Sequence, residues 1–303
     1  LTRFKPFLKP CLHKELADYI NGLKVMPVNV EISLTGLCNA KCDWCFYTDE
    51  KTRDSLRYLS VDKLLHELSD LEVKAVTWTG GGEPTMHKDF KDIAELTKYL
   101  GLKQGLITNG LKKVDYDPTL FEWIRVSKTN KDIDEANLYK LRECKTLGLA
   151  INYEGDYEEV NSVLNIGKRV GVDYVQVRPV LNTKGEITEQ SMYGLNHHVT
   201  EDPLLIISDY KFEDAQMKHQ YDTCEAFHLT PFIWEDGAVT VCGYMKGNPD
   251  YHLGNIYDHS FGNIMRSAPD YVAVDDKCQV CCKPHELNKI IHELKNIEDV
   301  DFI

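Results

Sequence analysis

The stretch VNVEISLTGLCNAKCDWCF (residues 28–46) decides how this chain is read. Its first half is a β-rich run over 28–34. Its second half carries Cys38, Cys42 and Cys45, spaced C-x3-C-x2-C, in a loop just past that strand. A closed structural zinc site takes four ligands, so a triplet leaves zinc open unless a distant His or Asp completes it. An iron–sulfur cube held by three thiolates keeps one iron free to bind a small molecule.

Working outward from this stretch, β-rich runs recur at 73–79, 103–108, 122–127, 149–154 and 173–179. Amphipathic patterns lie between them: SVDKLLHELSDL from a cap at Ser60, DFKDIAELTKYLG to Gly101, DEANLYKLRECKTLG to Gly148, and DYEEVNSVLNIGKRVG to Gly171. Glycine after the last periodic residue is a helix stop. Alternating strands and helices imply a parallel sheet with helices outside. Six such units fall short of the eight that close a full barrel, so the expected fold is α/β, a partial (β/α)6 TIM-type barrel. Reactive groups of such a fold gather at the C-terminal ends of the strands.

Past Pro179 the alternation stops. Residues 180–203 read as a polar loop containing His197 and His198, which have no metal-ligand spacing. PFIWEDGAVTVC (231–242) reads as a hairpin about Asp236-Gly237. HSFGNIMRS is a short helix and KPHELNKIIHELKNI a terminal amphipathic one. The expected organisation is an N-terminal helical extension over 1–27, the barrel over 28–205, a small hairpin and helix domain over 206–285, and a C-terminal helix over 286–303. His87 reads as a capping or surface residue, and the acidic runs DVDF and EDGA as solvated surface.

Composition narrows the partners. Lys and Arg number 35 against 48 Asp and Glu, a net charge of −13. Without a basic stripe, a nucleic-acid partner is not expected. No apolar run has the length of a membrane span and no signal sequence is evident, so a cytoplasmic protein is expected. Ten cysteines are many for such a chain. Cys11 and Cys144 sit singly in helical patterns and read as small buried hydrophobes. The clustered ones read as metal ligands rather than disulfides.

C-x3-C-x2-C, with Trp44 before the last cysteine, resembles the signature of the radical S-adenosylmethionine (SAM) superfamily. TWTGGGEPTMH after the second strand resembles that family's GGEP element, and LITNG (106–110) and RVS (125–127) end strands as in family members. The resemblance implies a [4Fe–4S] cluster on Cys38, Cys42 and Cys45, with SAM chelating the open iron. It implies SAM contacts from Trp44, Phe46, Gly81, Gly82, Glu83, Pro84, Thr108 and Ser127. Glycines let the backbone approach a ligand, and Glu83 offers an acceptor to an ammonium. Lys128-Thr129 follow Ser127 where relatives usually carry an acidic residue. Arg178, at the end of VQVRPV, reads either as a clamp for a carboxylate or substrate, or as a structural ion pair. No GKT or GKS follows the glycines, which disfavours a nucleotide P-loop.

Cys224, Cys242 and C-Q-V-C-C (278–282) form a second set around the hairpin. It resembles the twitch domain, a shortened SPASM domain, which implies a second, auxiliary [4Fe–4S] cluster on Cys224, Cys242, Cys278 and Cys281. A closed zinc site fits the same spacing. Cys282 is an alternative ligand, a spare thiol or a reactive one.

Two reactions follow from the resemblance. One is dehydrogenation of a hydroxylated small molecule of amino-sugar or cyclitol type, the auxiliary cluster accepting the electron; Arg178, with Tyr153 and Glu154 behind it, is the candidate base. The other is epimerisation or cross-linking of a ribosomal peptide, with Cys282 as the candidate hydrogen donor. The stretch before residue 28 is too short for the leader-binding domain of many peptide modifiers. Either needs a one-electron reductant such as a flavodoxin or ferredoxin. A non-catalytic iron–sulfur or zinc protein explains the cysteines but not GGEP, TNG and the ordered units.

Overall fold

The computed structural model describes residues 6–45, 47, 52–180, 202–207, 219–274, 278 and 284–297. Among these, six parallel strands appear in chain order: β1 (Asn29–Ser33), β2 (Ala75–Thr79), β3 (Lys103–Thr108), β4 (Trp123–Ser127), β5 (Leu147–Tyr153) and β6 (Tyr174–Pro179). The helices between them are α2 (Tyr58–Asp70), α3 (Phe90–Tyr99), α4 (Glu135–Leu141) and α5 (Tyr157–Val170), preceded by α1 (Lys14–Ile20). The fold is therefore the expected α/β partial barrel.

Each helix packs through one face. α2 buries Val61, Leu64, Leu65 and Leu68, and α5 buries Val160, Val163, Leu164, Gly167 and Val170, at i, i+3, i+4 and i+7 spacing. Asp156 caps α5 through the N–H groups of Glu158 and Glu159, and Gly171 ends it at φ 77°, a left-handed position that glycine adopts without strain. Two helix boundaries differ from expectation. Ser60 lies inside α2, whose first turn begins at Tyr58. α4 stops at Leu141, and Gly148 lies within β5 rather than ending a helix. A Cβ there would stand 2.0 Å from the ring of Tyr174, its cross-strand partner, so the glycine makes room for that ring.

The C-terminal segment joins the same sheet. β9 (Phe232–Ile233) pairs in parallel with β1, and β10 (Ala238–Thr240) and β11 (His252–Asn255) follow antiparallel. β7 (Leu205–Ile207) pairs with β6 at the other edge, giving a ten-stranded sheet in the order β11-β10-β9-β1-β2-β3-β4-β5-β6-β7. The expected hairpin is thus present and lies against the strand that leads into the cysteine loop. A two-stranded sheet of β8 (Thr223–Cys224) and β12 (Val272–Ala273), with α6 (Phe261–Ser267) and α7 (His285–Lys295), completes the described chain.

Candidate active site at the strand ends

The C-terminal ends of all six barrel strands open on one cavity of about 290 Å³. Cys38, Cys42, Trp44 and Cys45 line it from the loop after β1. Gly81, Gly82 and Glu83 enter after β2, Thr108 from the end of β3 and Asn109 just past it, Ser127 from β4, Asn152 from β5 and Arg178 from β6. The motif residues separated along the chain therefore converge on one space. Pro84 does not line it: it is buried and starts the turn Pro84–Met86, where its missing N–H costs nothing. Phe46, Cys281, Cys282, His197 and His198 lie outside the described residues.

Two of the glycines hold the cysteine loop. A Cβ on Gly82 would fall 2.4 Å from the carbonyl oxygens of both Thr35 and Leu37, and Glu83 N–H donates to Leu37 O at 2.8 Å. At Gly80, φ is 141° and a Cβ would meet Ser33 Oγ at 2.2 Å. At Gly81 the same atom would sit 3.7 Å from Glu235 Oε1 and from the Trp234 ring, an ordinary contact. The close packing of this loop is thus against the end of β1 and the Thr35–Leu37 stretch that leads into the cysteines.

Glu83 is 3% exposed, and its carboxylate ties the end of β2 to the end of β3. Its Oε1 accepts from Thr85 Oγ1 (2.7 Å), Thr85 N–H (3.2 Å) and Thr108 Oγ1 (2.6 Å), and Oε2 accepts from Asn109 N–H (2.7 Å). Burial pushes its carboxyl up, opposed by the bonds from Thr108, Asn109 and Thr85. Asn109 in turn donates through Nδ2 to Asn39 Oδ1 at 2.7 Å and to Cys38 Sγ at 3.8 Å. The three thiols, the bared Gly-Gly backbone and an amide aimed at a cysteine sulfur fit a site for a cluster and a small zwitterion.

Several lining residues are not among those singled out from the sequence. Asn152 faces the cavity beside its register partner Arg178, whereas Tyr153 is buried away from it and Glu154 is exposed. Neither Tyr153 nor Glu154 lines the cavity, so neither is placed as a base; strand alternation puts Asn152 there instead. Lys128 pairs with Glu159 at 3.3 Å. Tyr47 and Tyr244 close the side nearest the hairpin, and Tyr47 Oη donates to Gly243 O at 2.8 Å. Burial holds the Tyr47 phenol neutral, well above its ordinary range.

EDGA is not all solvated surface. Glu235 is 1% exposed, its carboxylate accepting from Ser33 Oγ and Thr52 Oγ1, each at 2.8 Å, and paired with Lys246. His87 is buried, not at the surface: Nδ1 accepts from Asp89 N–H and Nε2 donates to Leu56 O. Cys144 is buried as expected, but Cys11 is exposed on the turn Pro6–Leu12.

In the second cysteine set, Cys224 and Cys242 are buried and Cys278 half-buried. Burial pushes the Cys242 thiol up, and the Cys224 and Cys278 sulfurs add to the rise. Among the described residues no three His, Cys, Asp or Glu side chains are arranged around a single metal position. No helix among them is long and apolar enough to cross a membrane.

Fold and site together define a partial-barrel enzyme with a three-cysteine loop at the mouth of its strands. Residues 32–176, just under half of the chain, match the Radical SAM superfamily. The match implies a [4Fe–4S] cluster and SAM, and members of that superfamily are enzymes, which counts against the non-catalytic alternative. The chain is similar to the Methanothermobacter thermautotrophicus protein "Probable GTP 3',8-cyclase", 28% identical over 59% of this chain and 52% of that protein. It is also similar to the GTP 3',8-cyclase of Staphylococcus aureus, 24% identical over 64% of each. It spans about half of the first of these relatives and less than two thirds of the second. Among solved structures, Streptococcus suis SuiB bound to precursor peptide SuiA aligns over 88% of this chain and 71% of that one, with TM-score 0.65 and 14% identity. "Native anSMEcpe with bound AdoMet" aligns over 80% and 81%, with TM-score 0.58 and 18% identity. These likenesses support the fold.

Proposed function

We propose that this chain cleaves SAM reductively and oxidises a hydroxylated small molecule, using a second metal centre in its C-terminal segment as electron acceptor. The observation that supports it most is the reach of the C-terminal segment to the cavity of the first cysteine set: Cys38, Cys42 and Cys45 line it, and so does Tyr244, two residues past Cys242. A cluster bound there would supply one-electron reduction of SAM, drawing on an external one-electron reductant, and so the means to take hydrogen from a substrate carbon. Cys38, Cys42 and Cys45 hold that cluster. Gly81, Gly82 and Glu83 present backbone and carboxylate oxygens to the SAM ammonium, Trp44, Thr108 and Ser127 flank it, and Arg178 clamps a carboxylate. As a guanidinium, Arg178 stays protonated and serves as clamp rather than base. Cys224, Cys242, Cys278 and Cys281 hold the auxiliary centre.

The lining favours an uncharged, hydrogen-bonding substrate. Asn109, Ser127, Thr129, Asn152 and Tyr244 all reach the cavity. Among its described residues only Lys128 and Arg178 are cationic, and Lys128 is engaged with Glu159. A nucleoside triphosphate, as named for the curated relatives, calls for several free cations.

The test removes the first set. In a Cys38→Ala/Cys42→Ala/Cys45→Ala chain reconstituted anaerobically, about four irons per chain are expected from the second centre. Zinc in place of iron would make the segment a structural module, and the oxidation would fall with it. Loss of two hydrogens from substrate supports dehydrogenation; solvent deuterium entering at a peptide Cα would instead show epimerisation.

A further inference from the structure

We propose that Glu235, delivered by the C-terminal hairpin, is a positioning residue for SAM. The inference rests on the reading of the strand-end cavity as the SAM site. Glu235 lies two residues past the end of β9, and β9 lies beside β1, so its carboxylate is carried to the glycine loop that ends β2. It does not line the cavity; it acts through Ser33. Ser33 Oγ donates to Glu235 Oε2 at 2.8 Å and, with its hydrogen so committed, turns a lone pair to the N–H of Gly81 at 3.2 Å. The carboxylate thus sets the direction of the hydroxyl, and the hydroxyl fixes the peptide preceding Gly81.

The second carboxylate oxygen is held independently. Oε1 accepts from Thr52 Oγ1 at 2.8 Å and pairs with Lys246, whose ammonium lies 5.0 Å over the Trp234 ring. Four segments meet on one buried anion: the end of β1, the stretch after the cysteine loop, the hairpin turn and the loop at 246. Burial would raise this carboxyl, but Lys246, a backbone N–H, Ser33 and Thr52 hold it below the ordinary range. A buried charge anchored by both partners gives one defined orientation rather than several, because any rotation leaves a donor unmet. The consequence is that the peptide orientation of the Gly81 loop, and with it the affinity for SAM, is set from the C-terminal segment.

The test measures SAM binding to the full, anaerobically reconstituted chain by equilibrium dialysis, with iron content and Tm recorded for each variant. Ser33→Ala removes the relay and leaves the Glu235–Lys246 pair in place. It is expected to weaken SAM binding about tenfold while iron per chain is unchanged. Glu235→Gln is expected to do the same, and Glu122→Gln, which touches only the surface ion pair with Lys145, to leave it unchanged. In turnover the effect falls on the KM for SAM with kcat retained. SAM affinity within twofold of wild type in Ser33→Ala would overturn the proposal, whether or not Glu235→Gln folds. A wild-type chain that binds iron but not SAM would overturn instead the reading of the cavity on which it rests.

Discussion

Asn288 and Cys224 are joined by an N–H···S hydrogen bond of 3.2 Å across 64 residues of chain. The amide orientation is fixed, because Asn288 Oδ1 accepts the N–H groups of Glu225 and Ala226 at 2.8 Å each. Nδ2 therefore has to point at the sulfur. Hydrogen bonds to ligand sulfurs raise the potential of an iron–sulfur centre. In a chain lacking Cys38, Cys42 and Cys45, Asn288→Ala is expected to lower the potential of the proposed second centre. A bond worth about 1.4 kcal/mol corresponds to about 60 mV for one electron. Potentiometry followed by electron paramagnetic resonance reads the shift, and an unchanged potential with full iron would show that Cys224 is not a ligand.

The glycines of the β2 loop are not equivalent. A methyl at Gly82 must displace the carbonyls of Thr35 and Leu37, whereas one at Gly81 meets only ordinary contacts. Gly82→Ala is expected to cost about 1–3 kcal/mol and to loosen the cysteine loop. Gly81→Ala is expected to keep its iron. Iron analysis and thermal melts of the two variants decide this, and equal retention would show that the loop yields at Thr35.

Lone cysteines differ in access. Burial pushes the Cys144 thiol up to about 11, while Cys11 is exposed. Iodoacetamide at pH 8 is expected to modify Cys11 in the native chain and to spare Cys144 until the protein is unfolded. Peptide mapping by mass spectrometry before and after denaturant reads both.

Acid should act through Glu235. Its folded carboxyl titrates below the ordinary range, so the unfolded chain takes up the proton first. The stabilisation is fully present above the ordinary carboxylate pKa of about 4.3 and is lost as pH falls through the lower folded value. Denaturant midpoints of wild type should fall across this window. Glu235→Gln should be less stable at neutral pH and show a shallower decline.

The six barrel strands and the three cysteines were legible because their signals are local. A β-rich run, a glycine and an amphipathic stretch each fit within about fifteen residues. Gly148 misled because a glycine after an apolar pattern looks the same whether it ends a helix or makes room for a ring. Only the pairing of β5 with β6, which puts Tyr174 over it, separates the two. Asn152 could have been found by alternation, since it shares a strand face with Gly148 rather than with Tyr153. Glu235 could not: a Glu beside Asp-Gly is a solvated turn by every local rule, and Ser33, which buries it, is 202 residues away.

The pairing of β9 with β1 also bears on synthesis. Asn29 and Thr230, which bond where these strands begin, are 201 residues apart in sequence. At about 5–20 residues per second, the first strand emerges roughly 10–40 s before the neighbour that will cover its free side. For that interval the nascent chain presents an open strand edge, and the cysteine loop hangs from it. Metal loading before the hairpin arrives would place a cluster on an unfinished wall, so assembly of the first centre is expected to follow completion of the sheet.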